Sequence, residues 1–124
     1  MNTKCILAVD DMPTVLSILK TLLRGEFQVF TANSVKIAMG ILEKGNVKFD
    51  LIFLDVDMPH VSGFEMLEML KSNPNFQNIP VIMLTGSADP DSVIKAISAG
   101  AVDYILKPFT ADVLKRKLYT VLKP

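Results

Sequence analysis

The residues best suited to chemistry in this sequence are three aspartates, a threonine and a lysine, each standing directly after a short apolar run. Asp10 and Asp11 follow 5–9, Asp55 follows 51–54, Thr85 follows 81–84 and Lys107 follows 103–106. Up to 97 positions separate them, so spacing alone does not group them. Three carboxylates brought together would repel, and at neutral pH they would share protons or recruit a hard cation. Magnesium suits such a set: it takes octahedral oxygen ligands and keeps several waters, so one or two carboxylates, a backbone carbonyl and a phosphate oxygen satisfy it. A carboxylate held beside that cation can attack phosphorus and form an acyl phosphate. Asp55 is the candidate nucleophile, with Mg²⁺ and Lys107 neutralising charge and Thr85 donating a hydrogen bond to the phosphoryl oxygen. Each residue alone has a plainer explanation. Asp11, ahead of Met12 and Pro13, suits a helix cap, Asp55 a turn, Thr85 a loop cap, and Lys107 a side chain snorkelling from a sheet edge.

The chemical reading therefore depends on the elements that carry these residues. Short runs rich in Ile, Leu, Val and Phe alternate with stretches of helical period, the signature of repeated strand–helix units. Five strands are expected at 5–9, 28–31, 51–54, 81–84 and 103–106. Four are nearly continuous apolar runs, as in a parallel sheet covered on both faces, while the second carries Gln28 and Thr31 and is the expected edge strand. The helices are expected to bury Val15, Ile18, Leu19 and Leu22; Ile37, Ala38, Ile41 and Leu42; Met66, Leu67 and Leu70; Val93, Ala96 and Ile97; and Leu114, the stem of Lys117, Leu118 and Val121. Gly25 and Gly45 stand where left-handed C-caps are wanted, and Ser34, Asp89 before Pro90, and Thr110 are candidate N-caps. Right-handed crossovers then favour an α/β, doubly wound, flavodoxin-like five-stranded parallel sheet in the order 2-1-3-4-5. In such sheets ligands bind beyond the carboxyl ends of the strands, at the switch point between the first and third strands. Asp10, Asp11 and Asp55 would meet there.

Composition narrows the classes. At 124 residues the chain is expected to form a single domain over 1–124. Thirteen basic and thirteen acidic side chains cancel, removing the bulk field of a nucleic-acid binder; Lys115, Arg116 and Lys117 are a short basic run on one helix, better suited to a solvated face. No apolar run approaches the roughly 20 residues that cross a bilayer. The five apolar residues from Cys5 to Val9 fall short of the roughly 7–15 of a secretory signal, so a cytoplasmic protein is expected. Cys5 is the only cysteine and reads as a buried strand residue.

The sequence Val9-Asp10-Asp11, the stretch Asp55-Val-Asp57-Met58-Pro59-His-Val-Ser-Gly63, the pair Thr85-Gly86 and the stretch from Gly100 through Tyr104 and Lys107-Pro108 to Phe109 together resemble the response-regulator receiver domain. The likeness covers nearly the whole chain, including intervals of 44 residues from Asp11 to Asp55, 30 to Thr85 and 22 to Lys107. The resemblance implies that Asp55 takes phosphate from a histidine kinase or histidine phosphotransfer protein. It implies Mg²⁺ bound directly by Asp11 and Asp55 and by the backbone carbonyl of Asp57, with Asp10 acting through a metal-bound water. It further implies that Lys107 contacts the phosphoryl group, that Thr85 follows it as the switch, and that Tyr104 moves inward with Thr85. The face of the fourth helix, fifth strand and fifth helix would carry the output to an effector protein or effector domain. Lys107-Pro108 falls where the family commonly has a cis peptide, Met58, Pro59 and Gly63 belong to the loop beneath the metal, and Gly63 opens the third helix. Gly86, Ser87 and Asp57 stand at positions that govern access and turnover. Small groups there, with an acid beside the acceptor, imply a phosphoryl group that is not unusually long-lived.

Two other functions compete. Asp55-Val56-Asp57 resembles the nucleophile motif of haloacid-dehalogenase phosphatases, but here the acidic pair precedes the nucleophile and the only acid after Lys107 is Asp112. The other is a receiver-like interaction module that takes no phosphate, against which the full set of acceptor-site residues argues.

Overall fold

A computed structural model describes residues 3–87 and 89–122. Strands β1 (Cys5–Val9), β2 (Gln28–Ala32), β3 (Leu51–Asp55), β4 (Val81–Thr85) and β5 (Asp103–Leu106) alternate with helices α1 (Pro13–Leu23), α2 (Val35–Lys44), α3 (Gly63–Lys71), α4 (Pro90–Ser98) and α5 (Ala111–Val121). All strand pairs are parallel, in the order β2-β1-β3-β4-β5. The expected topology is the observed one, with β2 at one edge and β5 at the other. Asp55 and Thr85 are the last residues of their strands rather than the first beyond them.

The period of two along each strand divides the core into two layers. Ile6, Ala8, Leu51, Phe53, Ile82 and Leu84 pack with Leu16, Leu19 and Leu23 of α1 and with Leu114 and Leu118 of α5. Leu7, Val9, Ile52, Leu54, Val81 and Met83 face α2, α3 and Ala96 of α4 on the other side. Full burial of each such aliphatic side chain stabilises the fold by about 1.5–3 kcal/mol.

Caps set the helix starts. The side chains of Ser34, Asp89 and Thr110 accept hydrogen bonds from the backbone N–H groups of Ile37, Ser92 and Val113, and Ser62 and Glu65 form a capping box on α3. Gly45 is the left-handed cap of α2, whereas α1 ends on an extended Arg24 and the left-handed Gly25 belongs to the turn after it.

Four helices differ from expectation; in α5 the difference is slight, Leu114 and Leu118 being buried and Val121 half-buried. In α1 the buried stripe is Leu16, Leu19 and Leu23, with Ile18 exposed. In α2 it is Val35, Ala38, Met39 and Leu42, with Ile37 exposed. Both helices carry apolar residues around an arc wide enough to hold two stripes, and the line of approach to the sheet selects one. Helix α4 buries Ala96 alone, with Val93 half-buried and Ile97 exposed. Cys5 is half-buried, because it starts β1 at the rim of the sheet. Among the described residues, no helix is long and apolar enough to cross a membrane.

Candidate functional site

Parallel register brings the strand ends together. Val9 lies opposite Leu54, so Asp10 and Asp55, one residue further on, emerge side by side. Asp55 lies opposite Leu84 and Thr85 opposite Leu106, which places Thr85 and then Lys107 in a staircase beside the aspartates. One carboxylate oxygen from each of Asp10, Asp11 and Asp55 falls within 4.8 Å of the others. The Lys107 Nζ lies 2.7 Å from Asp10 Oδ2 and 3.1 Å from Asp55 Oδ1. Asp10 and Asp55 are buried and Asp11 is exposed, so the cluster opens to solvent through Asp11.

Three carboxylates against one ammonium leave an excess of negative charge. Asp10 Oδ1 accepts a hydrogen bond from the Met12 N–H at 2.9 Å. Asp10 Oδ2 is buried and, apart from its ion pair with Lys107, has no hydrogen-bond partner among the described residues. Clustered carboxylates with free lone pairs fit a hard, oxygen-seeking divalent cation. The same crowding shifts protonation. Burial first, and then the charge of Asp10, push the Asp55 carboxyl from 3.8 up to about 7, against the lowering effects of Lys107 and of the Asp57 N–H. For Lys107 burial opposes the charge, but hydrogen bonds to Asp10 and Asp55 outweigh it and hold the ammonium above its ordinary pKa.

The loops are shaped to the same end. A Cβ on Gly63 would sit 2.0 Å from the carbonyl oxygen of Asp55, so only glycine lets α3 start against the end of β3. Met58 and Pro59 lie in that β3–α3 loop with His60, which adopts a left-handed φ of 70°. The Lys107–Pro108 peptide is cis, and the Lys107 N–H donates to the Thr85 carbonyl at 2.7 Å. Gly86 faces open space and Ser87 is exposed. The Thr85 hydroxyl is turned into its own loop, donating to the Ser87 carbonyl at 2.7 Å and accepting from the Ser87 N–H at 3.1 Å. Asp57 is exposed, and its N–H donates to Asp55 Oδ1 at 3.3 Å. Tyr104 is half-buried on β5, outside the carboxylate cluster.

Sequence reasoning missed two features. Asp89 is more than a cap: its carboxylate also accepts from the Ser87 and Ser92 hydroxyls, tying the loop after Thr85 to α4. Lys117 contributes its ammonium as well as its stem, and it contacts Tyr104. The Ser-x-Asp-x-x-Ser spacing signals the first, whereas no local pattern signals the second. Each residue of the basic run on α5 has an acidic neighbour, Lys115 with Glu26 and Lys117 with Asp103 at half-buried sites and Arg116 with Asp112 on the open surface.

Known proteins share this fold and sequence pattern. The profile of the family described as the response regulator receiver domain matches residues 6–119. The chain belongs to that family. The receiver is 44% identical over 111 residues to the two-component response regulator ARR10 of Arabidopsis thaliana, covering 89% of this chain but 20% of the plant protein. It is 37% identical over 120 residues to the chemotaxis protein CheY of Pseudomonas aeruginosa, covering 95% of both chains. The solved structure of Vibrio cholerae chemotaxis protein CheY4 superposes on the receiver with a TM-score of 0.90 at 29% identity, covering 98% of this chain and 100% of that one. The family is a signalling domain of two-component systems.

Proposed function

We propose that this receiver accepts a phosphoryl group on Asp55 from a histidine kinase or histidine phosphotransfer protein. Asp11, Asp55 and the Asp57 carbonyl would hold Mg²⁺, with Asp10 acting through water. Residues 1–124 act as one receiver unit in the cytoplasm, and the output passes through α4, β5 and α5 to an effector. The observation that carries the reading is the Lys107 ammonium bridging Asp10 and Asp55 inside a cluster of three carboxylates.

A carboxylate oxygen of Asp55 attacks phosphorus, the P–N bond to the donor imidazole breaks, and its electron pair stays on nitrogen. The product is an acyl phosphate, which water later cleaves to regenerate the carboxylate and release phosphate. Bound Mg²⁺ supplies charge neutralisation for the crowded oxygens. Lys107 offsets the added phosphoryl charge, as its contact with Asp55 Oδ1 equips it to do. The Thr85 proton is committed to the Ser87 carbonyl in this state, so donation to a phosphoryl oxygen requires the hydroxyl to turn out of its loop. That rotation is the first movement of the switch, with Tyr104 as its partner. Exposed Ile94, Ile97 and Leu106 on α4 and β5 support a docking role for that face. Exposed Asp57, Gly86 and Ser87 leave water access to the phosphoryl group and support a lifetime well short of many hours.

Incubation with Mg²⁺ and a small acyl phosphate, followed by intact mass measurement, tests the reading. The wild type is expected to gain one phosphoryl group and the Asp55→Asn variant none; an unchanged wild-type mass would overturn it.

A further inference from the structure

Among the described residues strand β5 pairs only with β4, so its outer edge has no strand partner. Lys117 of α5 reaches that edge. Its Nζ lies 3.0 Å from Asp103 Oδ1, 2.7 Å from the Tyr104 carbonyl oxygen and 4.3 Å from the centroid of the Tyr104 ring. An ammonium has three N–H donors, and a carboxylate, a carbonyl and a π face account for them. Asp103 Oδ1 also accepts from the Tyr104 N–H at 2.8 Å, which closes a knot of three residues on two elements. Two of the three Lys117 contacts secure the strand; the third secures a side chain. That side chain borders, with Thr85, Val93 and Ala96, a small apolar void beneath α4.

We propose that Lys117 is a positioning residue for Tyr104. Its charge holds the ring in the resting place and thereby sets how readily phosphoryl binding rearranges the face. This inference rests on the phosphoacceptor reading and adds to it a specific restraint on α5. Because the ring and Thr85 share one void, whatever lowers the cost of displacing the ring raises affinity for the phosphoryl state by up to the same factor. The size of that factor follows from the contact: a cation over an aromatic ring at a partly exposed site corresponds to a two- to fivefold change in equilibrium.

Beryllofluoride with Mg²⁺, a phosphoryl analogue, is the probe. Titrations of wild type, Lys117→Gln and Lys117→Arg would be followed through the ring resonances of labelled tyrosine, of which the chain has two, Tyr104 and Tyr119. Glutamine can still donate to the Tyr104 carbonyl but carries no charge, so it removes the cation from the ring and from Asp103 together; Asp103→Asn, which loses only the ion pair, is expected to keep wild-type affinity. Lys117→Gln is expected to bind beryllofluoride roughly two- to fivefold more tightly. Its free Tyr104 resonance should lie part-way toward the bound position, while Lys117→Arg keeps wild-type values. Lys117→Met, which retains the stem, serves where the glutamine variant does not fold. Unchanged or weaker binding by the uncharged variant, with wild type binding normally, overturns the positioning role alone. A wild type that binds no beryllofluoride overturns the phosphoacceptor reading and this inference with it.

Discussion

Replacing Asp55 with asparagine is expected to make the metal-free protein more stable at neutral pH. The carboxyl is held at about 7 in the fold against 3.8 in its ordinary state, because burial and Asp10 both disfavour its charge. The folded protein therefore binds more protons than the unfolded chain between these values, and stability falls as pH rises through that window. At 1.36 kcal/mol for each pH unit, full ionisation costs the fold on the order of 4 kcal/mol, an upper bound because the three carboxylates titrate together. Asparagine mimics the neutral acid in shape and hydrogen bonding, so Asp55→Asn should recover about 2–4 kcal/mol, which at this chain length raises Tm by on the order of 10 °C. Chemical denaturation in a chelator across mildly acidic to neutral pH measures it. The advantage of the variant should grow with pH and shrink on adding Mg²⁺ to the wild type. A variant no more stable than wild type at neutral pH, or an advantage independent of pH, would refute the claim that burial and Asp10 together disfavour the charge of Asp55 in the bare site.

Two further outcomes follow from the loop geometry. Gly63→Ala places a methyl group 2.0 Å from the Asp55 carbonyl oxygen, and should cost about 1–3 kcal/mol or more while slowing phosphoryl uptake through displacement of Asp55; urea denaturation and phosphorylation rates measure the two effects. His60→Gly removes the left-handed strain at φ 70° and should stabilise the protein by up to about 1 kcal/mol, whereas a valine there should destabilise it; thermal unfolding of both variants decides.

The sheet and the carboxylate cluster were legible in the sequence for one physical reason. Strands buried on both faces are written as unbroken apolar runs, and the first polar residue after each run marks the functional end of the sheet. Asp10, Asp55, Thr85 and Lys107 could therefore be grouped before any distance was known. The buried stripes of α1 and α2 were not legible, since Val15, Leu16, Ile18, Leu19, Leu22 and Leu23 allow two inward faces. Helix α4 misled in another way. Its pattern of Val93, Ala96 and Ile97 reads as core, yet Val93 is only half-buried and Ile97 remains on the surface. The direction of the Thr85 hydroxyl and the reach of Lys117 to Tyr104 depend on rotamers and on packing between separate elements, which no local period encodes.

Reductive trapping gives the most direct test of phosphoryl transfer to Asp55. After incubation with Mg²⁺ and a phosphohistidine donor, borohydride converts an acyl phosphate to an alcohol at the carbon that carried it, and peptide sequencing by mass locates the change. The expected result is homoserine at position 55, with Asp10, Asp11 and Asp57 unmodified. Reduction at another carboxylate, or none in a protein exposed to a competent donor, would contradict the assignment of Asp55 as the phosphoacceptor.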